Sequence, residues 1–270
     1  MYRIGLSCGF DGKPLTKETF QACRDVGIDA MEISVAKEDY KDIDYQNLKA
    51  LAKEYDIKLW SYHMPFSRSW KIDLSSLEKE TRQSTVTYFK ELIAKASDIG
   101  IDKFVVHPSC EPIADVLRSE FIKNSQESLN ELAEFAHSRG AVIAVENLPR
   151  TCLGRDSKEM LELISVNDKL RVCFDTNHVL QENVVDFVKN VNNKIVTLHV
   201  SDCDFVNERH WLPGEGKVDW SELITALQEV NYNGVWMYEI GFKAPDSIKR
   251  ERDLTFVDFV HNAEQLFKQQ

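Results

Sequence analysis

The sequence predicts an α/β chain folded as a (β/α)₈ TIM barrel, a single domain over residues 1–270. Three observations predict it. Short apolar runs alternate with longer amphipathic stretches from end to end. Eight of each in 270 residues give about 34 residues per unit, close to the ~30 of a βαβ step. No Gly-, Ser- or Pro-rich linker divides the chain. A doubly wound open sheet is the competing arrangement, but it wants a glycine-rich phosphate turn after its first strand. The segment there, Cys8-Gly9-Phe10-Asp11-Gly12-Lys13-Pro14, is not GxGxxG.

Strands are expected at residues 3–7, 30–34, 58–63, 103–107, 142–146, 171–175, 195–200 and 235–240. Most are continuously apolar rather than alternating, as strands buried on both faces of a parallel sheet must be. Helices are expected at 16–26, 44–55, 78–99 and 120–139. The third carries the stripe Phe89, Leu92, Ile93, Ala96 and the fourth the stripe Leu129, Leu132, Ala133, Ala136. Gly100 and Gly140 follow these two helices, where a left-handed residue is wanted. Asp219, with Glu222 three residues on, is the expected cap of the seventh helix, and the eighth is expected from 247 to 267.

Composition narrows the function. The chain is 43% apolar and 29% charged, which excludes disorder, collagen and a small disulfide scaffold. A net charge of −11 repels phosphate backbones, so no nucleic-acid partner is expected. No apolar run approaches the ~18–20 residues that cross a bilayer, so no membrane partner is expected either. The segment Met1-Tyr2-Arg3-Ile4-Gly5-Leu6-Ser7 lacks a signal-peptide pattern and reads as a first strand. The six cysteines form no CxxC pair and are expected to be reduced thiols, in a cytoplasmic protein.

In a barrel, the C-terminal strand ends and the loops after them share one mouth. Seven of the eight expected strands carry Glu32, His63, His107, Glu146, Asp175, His199 or Glu239 at that end. Three carboxylates, Glu146, Asp175 and Glu239, cannot stay ionised together without compensation. A divalent cation supplies it, and His199 adds a nitrogen ligand. An oxygen-rich set with one imidazole suits Mn²⁺, Mg²⁺ or Co²⁺, and a surplus of histidines shifts the balance towards Zn²⁺. The alternative is a set of salt-bridged carboxylates at the rim, but few basic residues fall at the strand ends. His63 and His107 are either ligands, substrate contacts or satisfied core histidines. His178, three residues after Asp175, can face the same mouth, and His210 lies in a loop, where polar side chains are often functional. Glu32 is a candidate base or an acceptor orienting a ligand. Trp70 and Phe66 either wall the pocket or simply pack. The Gly214-Glu215-Gly216 turn is read as a tight turn rather than a phosphate cradle.

In barrel order the chain reads His63-Met64-Pro65, Val106-His107-Pro108, Val145-Glu146-Asn147 and Phe174-Asp175-Thr176-Asn177-His178. It continues Leu198-His199-Val200-Ser201-Asp202, Arg209-His210 with Pro213-Gly214-Glu215-Gly216, and Tyr238-Glu239. With these motifs it resembles the xylose isomerase-like TIM-barrel superfamily, in particular its sugar phosphate isomerase/epimerase branch, which also contains endonuclease IV. The resemblance implies one divalent metal ion held by Glu146, Asp175, His199 and Glu239, with Glu146 and Glu239 as the acid/base pair of an isomerase or epimerase. It implies a small sugar or sugar phosphate as substrate, its hydroxyls held by His178; His63, His107, Arg209, His210, Glu32 and Trp70 are expected as further substrate contacts from their places at the mouth. Barrels of this branch are often homo-oligomers, dimers or tetramers.

One departure stands out. The epimerases carry a further substrate-binding glutamate shortly after the first metal glutamate, where this chain has Leu148-Pro149-Arg150-Thr151-Cys152. The rival that the resemblance supplies is an endonuclease IV-like, multi-zinc phosphodiesterase acting on abasic DNA. That enzyme's Asp-Arg-His loop is matched here by Glu208-Arg209-His210, one methylene longer. Net charge favours sugar chemistry, as does the loop Val35 to Asp42, which sets two lysines against three acids; the short loop with Arg68, Trp70 and Lys71 argues the other way.

Overall fold

The computed structural model describes residues 2–268. Eight strands alternate with eight helices: β1 (Arg3–Cys8), α1 (Lys17–Val26), β2 (Ala30–Ile33), α2 (Tyr45–Glu54), β3 (Lys58–His63), α3 (Lys79–Ser97), β4 (Lys103–Val106) and α4 (Arg118–Ser138). The second half runs β5 (Val142–Glu146), α5 (Ser157–Ile164), β6 (Arg171–Asp175), α6 (Val184–Val191), β7 (Ile195–His199), α7 (Trp220–Glu229), β8 (Val235–Tyr238) and α8 (Phe256–Lys268). All strand pairs are parallel, in the order β7-β6-β5-β4-β3-β2-β1-β8. A further parallel bridge, Val200 to Tyr238, joins the two ends, and the sheet becomes the (β/α)₈ barrel that the sequence predicts.

The largest apolar cluster lies between strands and helices. The stripe of α3 (Phe89, Leu92, Ile93, Ala96) and that of α4 (Leu129, Leu132, Ala133, Ala136) are buried there, as expected. Inside the barrel the apolar clusters are smaller. Ala30, Val235 and Met237 pack with Trp60, and Val105, Ala144 and Cys173 pack with Val196. Gly5 is needed in this interior, because a Cβ there would lie 2.5 Å from Val235 and 2.8 Å from Met237.

Local signals set the helix ends. Asp219 accepts from the Glu222 amide at 3.0 Å, so the predicted cap of α7 is present. Gly100 and Gly140 have φ of 96° and 72°, the left-handed termini expected of them. The eighth helix departs from expectation: it begins at Phe256, not near 247. Asp258 reaches back to cap its start, its carboxylate accepting from the Thr255 amide and hydroxyl at 2.7 Å each. The residues before it are drawn across the barrel mouth instead. Arg250 donates twice to Glu215 at 2.8 and 2.7 Å, and the Leu254 amide donates to the Phe242 carbonyl at 2.8 Å.

Candidate active site

Parallel strands deliver their last residues to one end, and here those residues meet. Ligand atoms of Glu146, Asp175, His199 and Glu239 all lie within 4.8 Å of one another. His199 Nδ1 stands 3.4 Å from Glu146 Oε1, 3.9 Å from Asp175 Oδ2 and 3.3 Å from Glu239 Oε2. Glu146, Asp175 and His199 terminate β5, β6 and β7, and Glu239 follows the end of β8.

Side chains staple the strand ends beyond the last ladder pairs. Asn147 donates from Nδ2 to the Asp175 carbonyl at 2.9 Å and accepts from the Asp175 amide at 2.8 Å, which fixes β5 against β6. Thr176 donates to the Ser201 carbonyl at 2.6 Å and accepts from the Ser201 amide at 3.0 Å, which does the same for the ends of β6 and β7. Asp175 Oδ1 takes the Asn177 amide at 2.6 Å, so only Oδ2 is left to point at the cluster.

Glu32 lies beneath. Its oxygens accept from Ser7 Oγ at 3.0 Å, Ser61 Oγ at 2.7 Å and His199 Nε2 at 3.0 and 3.1 Å. A carboxylate accepts only, so Nε2 carries the proton and Nδ1 presents its lone pair to the cluster. Burial works to raise the Glu32 carboxyl, but His199 and His63 outweigh it and hold it below the usual range.

A cation fits this donor set. Asp175 Oδ2 and His199 Nδ1 are buried polar atoms without a hydrogen-bond partner, and both face the same point. Burial is the largest influence on Glu239 and raises its carboxyl; His199 opposes, Glu146 and Asp175 reinforce, and the net direction is up. Three oxygens and one imidazole nitrogen with a fixed tautomer are donor types that suit a divalent ion, whose charge would relieve that repulsion.

Above the cluster opens a cavity of about 1230 Å³. Glu146 and Glu239 line it, whereas Asp175 and His199 do not. Of the other residues singled out in the sequence, His63, His107, His178, Arg209 and His210 line the cavity. His63 Nε2 and His107 Nε2 each stand 3.2 Å from Glu146 Oε2. His178 Nδ1 bonds the Asn147 carbonyl at 2.9 Å and lies 3.3 Å from Glu146 Oε1. Burial alone would depress the His178 imidazole, but Asp175, Glu146 and Glu208 push it up to about 10. His210 Nδ1 bonds the Glu239 carbonyl at 3.1 Å.

Two expected substrate contacts stand apart. Glu32 is wholly buried under His199 and does not line the cavity. Trp70 is 54% exposed on the hairpin bridged by Ser67 and Ile72, with Lys37 Nζ 4.8 Å from its ring, and it too is outside the cavity wall. Its neighbour Phe66 provides the wall instead, stacked on His107 at 3.7 Å between ring centroids.

Two further contributors are not among the site residues singled out in the sequence. Lys13 is fully buried; its ammonium donates to the Ile240 carbonyl at 2.8 Å and lies over the rings of Phe10 and Phe242, which ties the first loop to the residue after Glu239. Burial lowers its pKa, with partial recovery from Cys8, Asp11 and Glu239. Asp202 accepts from the Cys203, Gly214 and Val218 amides and from Trp220 Nε1, at 2.8 to 3.1 Å, and so anchors the loop that carries His210. Its place straight after the His199 strand, with Gly214 and Gly216 downstream, was the only available clue.

Comparison with known proteins agrees with this fold. A family model described as xylose isomerase-like TIM barrel matches residues 20–255. An uncharacterized protein of Methanocaldococcus jannaschii is 30% identical over 204 residues, covering 72% of this chain and 68% of that one. The inosose isomerase of Bacillus velezensis is 23% identical over 260 residues, covering 88% and 90%. The crystal structure of a D-tagatose 3-epimerase-like protein superposes with a TM-score of 0.82 at 23% identity, covering 98% and 97%.

Proposed function

Because the chain belongs to the xylose isomerase-like TIM-barrel family, we propose that it is a divalent-metal-dependent isomerase or epimerase of a small sugar or sugar phosphate. The inosose isomerase relative supports the reaction class. One observation carries the reading: four ligand atoms converge within 4.8 Å, and of their four residues only Glu146 and Glu239 also face the cavity.

Asp175 and His199 would hold the ion together with Glu146 and Glu239, and Glu32 keeps His199 in the tautomer that can ligate. When bound there, Mn²⁺, Mg²⁺, Co²⁺ or Zn²⁺ supplies Lewis-acid polarisation of a substrate carbonyl. Glu146 and Glu239 have oxygens at the cluster and open onto the cavity, so each can hold a proton at a carboxylate oxygen beside the substrate. One removes the proton next to the carbonyl. Return from the opposite face by the other inverts that centre, and return to the neighbouring carbon gives aldose–ketose isomerisation. Positioned proton transfer of this kind adds about 10²–10⁴-fold. His178, Arg209 and His210 position hydroxyls, while His63, His107 and Phe66 exclude water from the Glu146 side.

The test is isotope uptake. Glu239→Gln should abolish deuterium incorporation from D₂O at the substrate carbon while leaving the circular dichroism of the fold intact. Full activity in that variant would remove the assignment.

The histidine surplus favours one second reading, a multi-zinc phosphodiesterase on abasic DNA, because His63, Glu146 and His199 form a second group of potential ligands. About three zincs per chain after zinc dialysis would favour it; one would not.

A further inference from the structure

One charged cluster on the cavity wall has no part in the proton transfer above. Arg150 lies in the loop between β5 and α5 with a φ of 54°, a left-handed conformation that a non-glycine residue adopts only when its surroundings impose it. Its Nε donates to Glu111 Oε2 at 3.2 Å, and Nη2 donates to Glu111 Oε1. On the other side Nη1 donates to Asn207 Oδ1 at 2.7 Å and lies 3.2 Å from Glu208 Oε2, while Nη2 lies 3.3 Å from Glu208 Oε1. A single guanidinium therefore engages both oxygens of two carboxylates, one from the loop after β4 and one from the loop after β7.

Glu208 matters because of its next neighbour. Its Oε2 is 3.5 Å from His178 Nε2, and the His210 ring stands edge-on to His178 at 6.1 Å. One carboxylate and two imidazoles that line the same cavity are the donor types of a transition-metal site. The Arg150 charge already fills that role. The guanidinium stays protonated at any accessible pH, its fork matches the carboxylate, and a second cation would have to displace it from both Glu208 oxygens. Nor can its loop swing away freely. Arg118 donates to the Thr151 and Cys152 carbonyls at 2.9 and 2.6 Å and is paired with Glu159, which also accepts the Gly154 amide.

We propose that Arg150 is a built-in cation that keeps a further metal ion out of the His178–Glu208 edge. The inference rests on reading Glu146, Asp175, His199 and Glu239 as a metal centre.

The test counts metal rather than turnover. The full chain, stripped with a chelator and dialysed against Zn²⁺, is analysed for bound zinc by mass spectrometry. One zinc per chain is expected for the wild type, and two for Arg150→Gln and for Arg150→Met. The double variant Arg150→Gln with Glu208→Gln should return to one. Two neutral replacements of different shape guard against one failing to fold, and thermal melts of the metal-free proteins identify the folded ones. Folded neutral variants that bind no more zinc than the wild type would overturn the proposal. No zinc in the wild type would overturn the metal centre itself, and the proposal with it.

Discussion

Replacing Glu32 with Gln exchanges a single oxygen for an NH₂ group and tests how the candidate centre is tuned. The Glu32 carboxylate is fully buried and accepts from Ser7, Ser61 and His199. In Glu32→Gln one acceptor oxygen becomes an NH₂ donor. With that amide nitrogen towards His199, Nε2 must accept, so the ring proton moves to Nδ1 and blocks the lone pair aimed at the cation. With the amide oxygen towards His199, the NH₂ faces the Ser7 or Ser61 hydroxyl, either of which can rotate to accept, and the histidine loses only its charge-assisted bond. The second arrangement keeps the fold, and both weaken the ligand. Loss of such an outer partner costs about 10- to 100-fold in metal affinity, or about 1.4–2.7 kcal/mol. Competition for Mn²⁺ or Zn²⁺ against a chromophoric chelator reads the affinity, and a melt of the metal-free protein reads the fold. A drop in affinity of one to two decades with a preserved melt is expected. Wild-type affinity would refute the role of Glu32 in fixing the tautomer.

Two further outcomes follow from the same contacts. Asp202→Ala strips the acceptor from three buried donors, the Cys203 and Val218 amides and Trp220 Nε1. At about 1–3 kcal/mol each, the loss is at least about 3 kcal/mol, and thermal unfolding should show a midpoint lower by roughly 6–12 °C or more. The pH dependence has a defined sign. Burial first, with Glu146 and Asp175, raises the Glu239 carboxyl in the metal-free fold despite His199. A raised folded-state value stabilises the metal-free protein below the ordinary carboxylate range, and that stability is lost as pH rises through the raised value. The cation restores it, so the gap in melting temperature between metal-loaded and metal-free protein should widen as pH rises from the carboxylate range towards neutrality. A constant gap would contradict the assignment.

What the sequence made legible and what it hid have physical reasons. Strands buried on both faces must be apolar throughout, so the barrel's strands stood out, and barrel geometry then located Glu146, Asp175, His199 and Glu239 at one mouth. The start of α8 was misread because the charged stretch 247–255 keeps helical composition, whereas in the fold it is held by the Arg250–Glu215 pair, a contact 35 residues apart. The later Thr255-Phe256-Val257-Asp258 box was the local signal for the true start. Glu32 appeared as a cavity residue because strand order says which end a side chain is near, not how deep it lies; inside the barrel it sits below His199. Trp70 was expected on the wall by type, but the hairpin turns it outwards onto Lys37. Lys13 and Arg150 act through partners remote in sequence, Ile240 at one end and Glu208 at the other, and periodicity carries no trace of such pairs.

Anomalous diffraction from crystals equilibrated with Mn²⁺ bears most directly on the site. The account predicts one strong peak within coordination distance of Glu146, Asp175, Glu239 and His199 Nδ1, and its disappearance in Asp175→Asn. A peak anywhere else, or wild-type crystals without one, would contradict it.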